Sequence, residues 1–284
     1  MISVENLRFR YPKQNKYVLE EISFSQRKGE ILGFLGPSGA GKSTLQKILI
    51  GILKQYIGSV KIQNIEMKQQ VPAYNNTIGV AFEFPNFYQK FSGLENLVFF
   101  SKLYTGPMRD PVELLQKVNL ERDADTLFSR YSKGMKMRLN FCRALMNSPQ
   151  LLFLDEPTSG LDPVNAQLMK KLIQEEQQKG TTIVITTHDM HIAEQLCDRV
   201  AFIVDGRVSV IDTPLHLKLM YGDKKVTVRY EGNDCIQQQS FHLQTLKADS
   251  SFMDILTNKT ILTMHTKEAS LEEVFIHLTG KSLL

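Results

Sequence analysis

Apolar residues along this chain follow two spacings, one typical of strands and one typical of helices. Segments 3–9 and 18–25 alternate apolar and polar residues and predict two strands of an antiparallel sheet. Other runs are wholly apolar or β-branched, which is typical of central parallel strands that helices cover on both faces. These runs are 31–35, 151–154 and 182–187, and shorter strands are predicted at 60–62 and 78–82.

The spacing becomes helical between about 85 and 147, which predicts a helical insertion in the main domain. Asp110 is a candidate N-cap, and Pro111 suits the first turn of the helix that follows. The predicted helices of the insertion are 94–103, 111–118 and 133–146. A later helix is predicted over 164–179 and ends at Gly180.

The remaining sequence predicts a hairpin and then a small mixed unit. Strands at 200–204 and 208–211 are joined by Asp205 and Gly206, a pair that supplies the positive φ angles of a tight hairpin turn. After Pro214 the composition shifts and indicates a small α+β lobe. The elements predicted in this lobe are strands at 226–230 and 260–264 and a helix at 271–278.

Length and composition indicate a globular protein with one large and one small domain. With 284 residues, we predict an α/β fold whose main domain covers 1–215 and whose accessory domain covers 216–284. A hydrophobic content of 42% and a charged content of 23% exclude disordered and fibrous classes. The formal charge of +4 comes with no Lys/Arg block, so no nucleic-acid partner is expected.

The cysteines and the longest apolar stretches indicate a cytosolic chain. Cys142, Cys197 and Cys235 show no paired spacing, which favours a reducing compartment over disulfides or a zinc site. No apolar stretch reaches the ~18 residues that span a bilayer, and no signal peptide is visible. We therefore expect a cytosolic protein that only a partner would hold at a membrane.

A phosphate-binding loop, G-P-S-G-A-G-K-S-T, lies between a predicted strand and a predicted helix at 44–53. Its glycines let backbone N–H groups approach phosphate oxygens at a helix N-terminus. Lys42 adds a positive charge for the outer phosphates, and the Ser43 hydroxyl suits a magnesium ligand. The sequence therefore predicts binding of a nucleoside triphosphate with Mg²⁺. The candidate residues are Gly36, Pro37, Ser38, Gly39, Ala40, Gly41, Lys42, Ser43 and Thr44.

Carboxylates and a histidine follow two of the buried strands. Asp155 and Glu156 come after the run 151–154, and His188 follows the run 182–187. The carboxyl ends of such strands face the ligand in α/β sheets. Asp155 can bind magnesium, Glu156 can orient or deprotonate the attacking water, and His188 can bond the terminal phosphate. Alone, the carboxylates could be solvated loop residues and the histidine structural.

The order of the motifs along the chain carries a family resemblance. Residues 131–138 read Y-S-K-G-M-K-M-R, in which Ser132 and Gly134 form a helix N-terminus suited to an anion. By itself this segment would be an ordinary N-cap and surface helix. The phosphate loop, then this segment, then Asp155 and Glu156, then S-G-L-D and then His188 resembles the nucleotide-binding subunit of an ABC transporter. The resemblance covers about 1–215.

This resemblance implies a P-loop ABC cassette with an N-terminal antiparallel β-subdomain, a mostly parallel central sheet and a helical insertion. Two such subunits meet head to tail, so Ser132 and Gly134 would serve the ATP of the partner subunit. Asp162 of S-G-L-D would act across the dimer. Tyr11 resembles the aromatic residue that stacks on adenine, and Tyr17 is the alternative for that role.

Two motifs depart from the common family form. Lys133 and Met135 stand where a glycine and a glutamine are usual, which we interpret as the mark of a subfamily. Glu83 stands where a glutamine is usual after the strand at 78–82. A carboxylate there could ligate magnesium, but it adds negative charge beside the triphosphate. The alternative function is therefore a regulatory subunit that binds ATP and hydrolyses it weakly.

The remaining segments bear on partners. Most of the aromatic residues Phe82, Phe84, Phe87, Tyr88 and Phe91 are interpreted as core, although in the family this segment also borders the groove that receives a membrane partner. The tail, which includes S-L-E-E-V-F-I-H-L-T-G, resembles the C-terminal extension of drug, antibiotic and sodium exporters. We therefore expect an ATPase at the cytoplasmic face of the membrane, paired with a permease and with a second ATP-binding subunit in a homodimer or heterodimer. A soluble ABC protein acting on ribosomes or nucleic acid is the alternative class.

Overall fold

The computed structural model describes residues 1–69, 72–222, 225–232, 235–267 and 269–281. The strands are β1 (Ile2–Phe9), β2 (Leu19–Gln26), β3 (Ile31–Leu35), β4 (Ile57–Ile62), β5 (Ile65–Glu66), β6 (Ile78–Ala81), β7 (Leu151–Asp155), β8 (Thr182–Thr187), β9 (Arg199–Val204), β10 (Arg207–Asp212), β11 (Lys225–Glu231), β12 (Ile236–His242) and β13 (Ile261–Lys267). The α-helices are α1 (Lys42–Leu49), α2 (Gly93–Ser101), α3 (Pro111–Lys117), α4 (Lys133–Leu145), α5 (Pro163–Gln178), α6 (Met190–Leu196), α7 (Pro214–Tyr221), α8 (Ser250–Asn258) and α9 (Leu271–Thr279).

A six-stranded sheet in the order β10-β9-β3-β8-β7-β6 forms the centre of the larger unit. Its strands are parallel except β10, which pairs antiparallel with β9. β3, β7 and β8 are buried along their whole length, as their continuous apolar and β-branched sequences predict. Leu35 lies opposite Thr187, and Asp155 lies opposite Thr186. The carboxyl ends of these three strands therefore meet at one edge of the sheet.

The first part of the chain forms an antiparallel sheet in the order β2-β1-β4-β5. One hydrophobic core joins this sheet to the central sheet, with Leu7 and Ile22 in the same buried cluster as Val184. Phe24 and Phe34 pack edge to face across it, with ring centroids 5.0 Å apart. Such burial supplies most of the stability of a domain of this kind, and it fixes the loop after β1 beside the phosphate loop.

The helical insertion contains α2, α3 and α4. A capping box at Ser92 and Glu95 satisfies the first backbone N–H groups of α2. α4 packs closely on β6, since a Cβ atom at Gly79 would lie 1.9 Å from the carbonyl oxygen of Ala144. Glycine is therefore required at that crossing, and it holds the insertion close to the strand that precedes Glu83.

The chain divides after Pro214 into two compact units, the second of which begins at Leu215. This smaller unit contains an antiparallel sheet in the order β12-β11-β13. Its core is formed by side chains of the sheet and of α8, with Val228 fully buried among them. The other buried members of this core are Val226, Tyr230, Phe241, Phe252 and Ile255.

Several elements lie outside the predicted pattern. The helix predicted at 44–53 begins earlier, at Lys42, and ends at Leu49. α6, α7, α8 and β12 were not predicted, because these segments are short or lack a clear apolar period. None of the helices in the described residues is long and apolar enough to cross a membrane.

A buried ion pair ties the insertion to α5. Both guanidinium N–H groups of Arg109 donate to the carboxylate of Glu176, at 2.8 and 2.6 Å, and Lys179 donates to it at 2.6 Å. Burial opposes ionisation of Glu176, but the hydrogen bonds and charges of Arg109 and Lys179 outweigh it and lower its pKa. The side chain of Glu176 is 4% exposed, whereas that of Lys179 is half exposed.

We predict that Arg109→Met lowers the free energy of unfolding by about 3 kcal/mol at pH 7, because it leaves a buried carboxylate without its main partner. The matched variant Lys179→Met should cost less than about 1 kcal/mol, since the Lys179 side chain is half exposed and Arg109 still pairs with Glu176. Because the folded-state pKa of Glu176 is lowered, its contribution is present above about pH 4.3 and is lost as the pH falls through the folded pKa. Urea unfolding at pH 7 and pH 4 measures both effects, and equal losses in the two variants would contradict this assignment.

Candidate active site

The phosphate loop lies between β3 and α1 and packs closely against β9 and β2. A Cβ atom at Gly36 would lie 2.1 Å from the carbonyl oxygen of Ile203, and one at Gly41 would lie 2.7 Å from Leu19 Cδ2. Gly39 and Gly41 have φ angles of 78° and 108°, which L-residues with side chains rarely adopt. The glycines predicted from the sequence are therefore required for the close approach and the turn that lead into α1.

Lys42 begins α1, and its ammonium group is held over the loop. Its Nζ donates to the carbonyl oxygens of Gly36, at 2.6 Å, and of Pro37, at 2.9 Å. No acidic residue lies in the first turn of α1, so the positive end of the helix faces the loop without local compensation. The loop thus presents a positive charge and a helix N-terminus to the same space, a combination that binds phosphate.

Asp155 ends β7 and is buried. The hydroxyl of Thr186 on β8 donates to its Oδ1 atom, and the backbone N–H of Glu83 also supports the carboxylate. Burial and the neighbouring Glu156 raise the pKa of Asp155, whereas these hydrogen bonds and the charge of Lys42 lower it, and the net direction is upward. A bound cation would favour the ionised form of this carboxylate.

Glu156 is held by the end of β8. Its Oε2 accepts a hydrogen bond from Thr187 Oγ1 at 2.8 Å, and its Oε1 accepts one from the backbone N–H of His188 at 2.9 Å. The Nδ1 atom of His188 lies 2.6 Å from the same Oε1, while the His188 ring is largely exposed. Glu156 has a φ of 48°, a strained conformation for a residue with a long side chain. The carboxylate is therefore fixed in position and orientation.

Lys42 and three carboxylates form one electrostatic cluster. Burial lowers the pKa of Lys42, although Glu156, Asp155 and Glu83 each act to raise it. Burial also raises the pKa of Glu83, to which Asp155 and Glu156 add, whereas Lys133 and His188 oppose them. All three carboxylates thus act on Lys42, and the negative charge collected there suits a divalent cation.

The oxygen donors at this site fit magnesium. Ser43, Asp155 and Glu83 offer a hydroxyl and carboxylates, the ligands that this ion prefers together with water and phosphate oxygens. No group of three His, Cys, Asp or Glu side chains placed to hold a metal ion by themselves occurs within the described ranges.

The loop that carries Glu83 is fixed by α4. Asn140 donates to the carbonyl oxygen of Phe82 at 2.7 Å, and Arg143 donates to that of Asn86 at 2.9 Å. The Arg143 guanidinium also lies 4.6 Å from the centroid of the Phe87 ring. The aromatic segment and the carboxylate that follows β6 are therefore fixed by the same helix.

The predicted anion-binding segment begins α4. Ser132 is its N-cap, and the Ser132 hydroxyl accepts a hydrogen bond from the backbone N–H of Met135 at 3.2 Å. A Cβ atom at Gly134 would contact Leu161 at 3.3 Å, so this segment packs on the S-G-L-D loop of the same chain. Asp162 caps α5 by accepting from the backbone N–H groups of Val164 and Asn165.

Tyr11 and Tyr17 both line a cavity of about 460 Å³ beside the N-terminal sheet. The hydroxyl of Tyr11 lies 3.1 Å from Thr44 Oγ1, which connects it to the end of the phosphate loop. The centroid of the Tyr17 ring instead lies 5.7 Å from the guanidinium carbon of Arg10. Both tyrosines stay candidates for the adenine contact.

Sequence reasoning missed the threonines that hold the carboxylates. Thr186 and Thr187 were assigned only to a buried strand, yet their hydroxyls bond Asp155 and Glu156. The available signal was the change from aliphatic residues to two hydroxyl side chains at the buried end of β8. Buried hydroxyls require partners, and the adjacent strand ends in carboxylates.

Comparisons with known proteins find two matching family models and several similar curated proteins. A family model described as "ABC transporter" matches residues 19–159, and one described as "Fluoroquinolone efflux ABC transporter C-terminal domain" matches 224–268. A fluoroquinolones export ATP-binding protein of Mycobacterium tuberculosis is 49% identical over 284 residues, covering 100% of this chain and 94% of the relative. A Nod factor export ATP-binding protein I of Mesorhizobium japonicum is 33% identical, covering 95% and 84%.

Solved structures share the fold of about three quarters of this chain. A dimeric ATP-binding cassette in a post-hydrolysis state, bound to ADP and Pi, has a TM-score of 0.67 and 27% identity and covers 75% of this chain and 98% of that one. Fold, site and relatives together define a P-loop ATPase of the cassette type. The chain belongs to the ATP-binding subunits of ABC transporters, and the predicted fold class and ATPase activity are confirmed.

We predict that Thr187→Val lowers kcat for ATP hydrolysis about tenfold and changes KM less than threefold, since a hydrogen bond to a charged group contributes about 1.5–3 kcal/mol. Thr186→Val should instead raise the magnesium concentration needed for half-maximal rate, because its hydroxyl holds Asp155. Steady-state kinetics over a magnesium series separates the two. Identical profiles for both variants would contradict the separate roles of these threonines.

Proposed function

We propose that this subunit hydrolyses magnesium-bound ATP at the composite interface of two subunits and drives a separately encoded permease that exports drugs or other small molecules. The supporting observation is the convergence of Lys42, Asp155 and the Glu156–His188 pair at one edge of the parallel sheet. The 94% coverage of an exporter subunit that is 49% identical supports the direction of transport.

The catalytic roles follow from the contacts. Glu156 accepts the proton of the attacking water, or orients that water, with its carboxylate fixed by the end of β8. His188, whose ring is exposed beside it, hydrogen-bonds the terminal phosphate. Lys42 and the backbone N–H groups of the phosphate loop offset charge on the phosphates.

Magnesium would be held by Ser43 and Asp155, with Glu83 as a further ligand. When bound, it offsets the negative charge of the phosphates and of the carboxylates around them. Glu83 then serves as an oxygen ligand where an amide is usual. Its negative charge interacts unfavourably with Asp155 and favourably with Lys42.

A second ATP-binding subunit completes each site. Ser132 and Gly134 lie at the exposed N-terminus of α4, where they can reach a nucleotide held by the phosphate loop of a partner subunit. The solved cassette that is dimeric with ADP and Pi supports pairing of two such subunits. The second subunit is another copy of this chain in a homodimeric transporter and a different ATP-binding chain in a heterodimeric one.

The permease is proposed to dock in an apolar groove of about 850 Å³ between the central sheet and the helical insertion. Tyr88 and Leu103 line it and are exposed, as an unfilled interface requires. Phe87 and Arg143 form its rigid side. Binding there would hold the subunit at the cytoplasmic face of the membrane.

The cargo class follows from the relatives. The C-terminal match to a fluoroquinolone efflux domain at 224–268 favours an exporter of drugs such as fluoroquinolones over an exporter of Nod factors. We assign 1–215 to the ATPase cassette and 216–284 to an accessory domain of this exporter type.

The decisive assay compares ATP hydrolysis by wild type and two amide variants in the assembled transporter. Glu156→Gln should lower kcat by about 10² to 10⁴, because an amide cannot take the proton, and should leave ATP binding within a few-fold. Glu83→Gln should keep kcat within tenfold and alter the magnesium dependence. Wild type no faster than Glu156→Gln would overturn the catalytic assignment and favour a regulatory subunit.

Leu103→Glu should abolish co-purification of the permease and drug export, because it places an unpaired charge in an apolar interface. ATP binding by the free subunit should be unchanged. Val112→Glu is a matched control, since Val112 is similarly apolar and exposed on α3 but does not line the groove. Retained permease binding by Leu103→Glu would move the docking site elsewhere.

A further inference from the structure

Among the strands that the structure describes, all sheet edges but one are protected against pairing with other chains. A sheet edge presents unpaired backbone groups, and proteins block it with charges, bulges or very short strands. The edge strands in the described part of the chain are β2 and β5 of the first sheet, β10 and β6 of the central sheet, and β12 and β13 of the small one.

Five of these edges carry such a protection. β2 carries Glu20 and Glu21, β10 carries Arg207 and Asp212, and both pair irregularly with their neighbours. β13 has a register shift in its pairing with β11. β5 has two residues and β6 has four, so neither offers a long template.

β12 has none of these features. Its seven residues, I-Q-Q-Q-S-F-H, contain no Lys, Arg, Asp, Glu or Pro. It pairs with β11 in continuous register from Ile236 to His242, with no bulge. Residues 236–240 are exposed, and Ile236 is 67% exposed. A long, regular, uncharged edge of this kind is a template for a further strand.

We propose that β12 pairs antiparallel with β12 of a second copy of this chain, so that two small sheets join into one six-stranded sheet. The proposal rests on the proposed function in one respect, since a transporter with two identical ATPase subunits holds two copies of this unit at high effective concentration.

The sequence of β12 is compatible with this symmetric pairing. A two-fold axis at Gln239 places Gln238 opposite Ser240 and Gln237 opposite Phe241 of the second copy. Gln239 faces its own counterpart, and stacked amides of this kind hydrogen-bond to each other. No like charges meet, so the pairing is self-complementary, as an isologous interface requires.

Sedimentation of the nucleotide-free full-length chain tests the proposal. Wild type should be in monomer–dimer equilibrium at micromolar concentration, and Gln239→Lys should raise the dimer Kd at least tenfold, because two lysines would face each other at the axis. Thr266→Lys, on exposed β13 at the other edge, is the matched control and should leave the Kd unchanged. A wild type that stays monomeric, or equal effects of both variants, would overturn the proposal.

Cross-linking gives an independent measurement. In a Cys235→Ser background, Gln239→Cys should form a disulfide with its counterpart under mild oxidation, since directly opposed Cα atoms lie about 4.5–5.5 Å apart. Thr266→Cys should remain monomeric on non-reducing gels. Absence of the Gln239→Cys cross-link would contradict β12 pairing.

Adding ATP to the Glu156→Gln variant separates this proposal from the proposed function. Dimerisation through the cassettes requires nucleotide, whereas β12 pairing does not. If the Glu156→Gln variant dimerises without nucleotide but shows no further association with ATP, the composite ATPase site is contradicted and β12 pairing is not. If it dimerises only when ATP is added, β12 pairing is contradicted and the composite ATPase site is not.

Discussion

Like charges brought together by parallel strands set the main physical constraint on this molecule. β7 ends in Asp155 and Glu156, and the loop after β6 brings Glu83 beside them. Repulsion among three partly buried carboxylates costs several kcal/mol unless donors and cations offset it. The hydroxyls of β8, the backbone N–H of His188 and the ammonium of Lys42 do so here. The site is thereby prepared for a divalent cation and a phosphate chain.

The rest of the fold holds these donors in register. β8 lies between β3 and β7, so one buried strand aligns the phosphate loop on one side with the carboxylates on the other. α4 fixes the loop after β6 through Asn140 and Arg143, and Ser132 is the N-cap of the same helix. Movement of the helical insertion would therefore shift both Glu83 and the anion-binding segment. Such a connection would couple the proposed permease groove to the proposed site of hydrolysis.

The phosphate loop, the buried strands and the order of the motifs could be predicted from the sequence, because each depends on local spacing. Thr186 and Thr187 were missed as site residues because their role depends on register with β7, which no local pattern records. β12 was missed because its run of glutamines has no apolar period, and it becomes a strand through pairing with β11. α6 was missed because it is short and follows the His188 loop directly.

We propose that each chain contributes one half of each of the two ATPase sites in the dimer. Mixing two inactive variants tests it most directly: Lys42→Ala disables the phosphate loop of one subunit, and Gly134→Asp disables the anion-binding segment of the other. In a head-to-tail dimer, mixed pairs contain one intact composite site, so an equal mixture should recover about a quarter of wild-type ATPase activity. A mixture as inactive as either variant alone would show that the sites are not shared between subunits, and it would contradict this account.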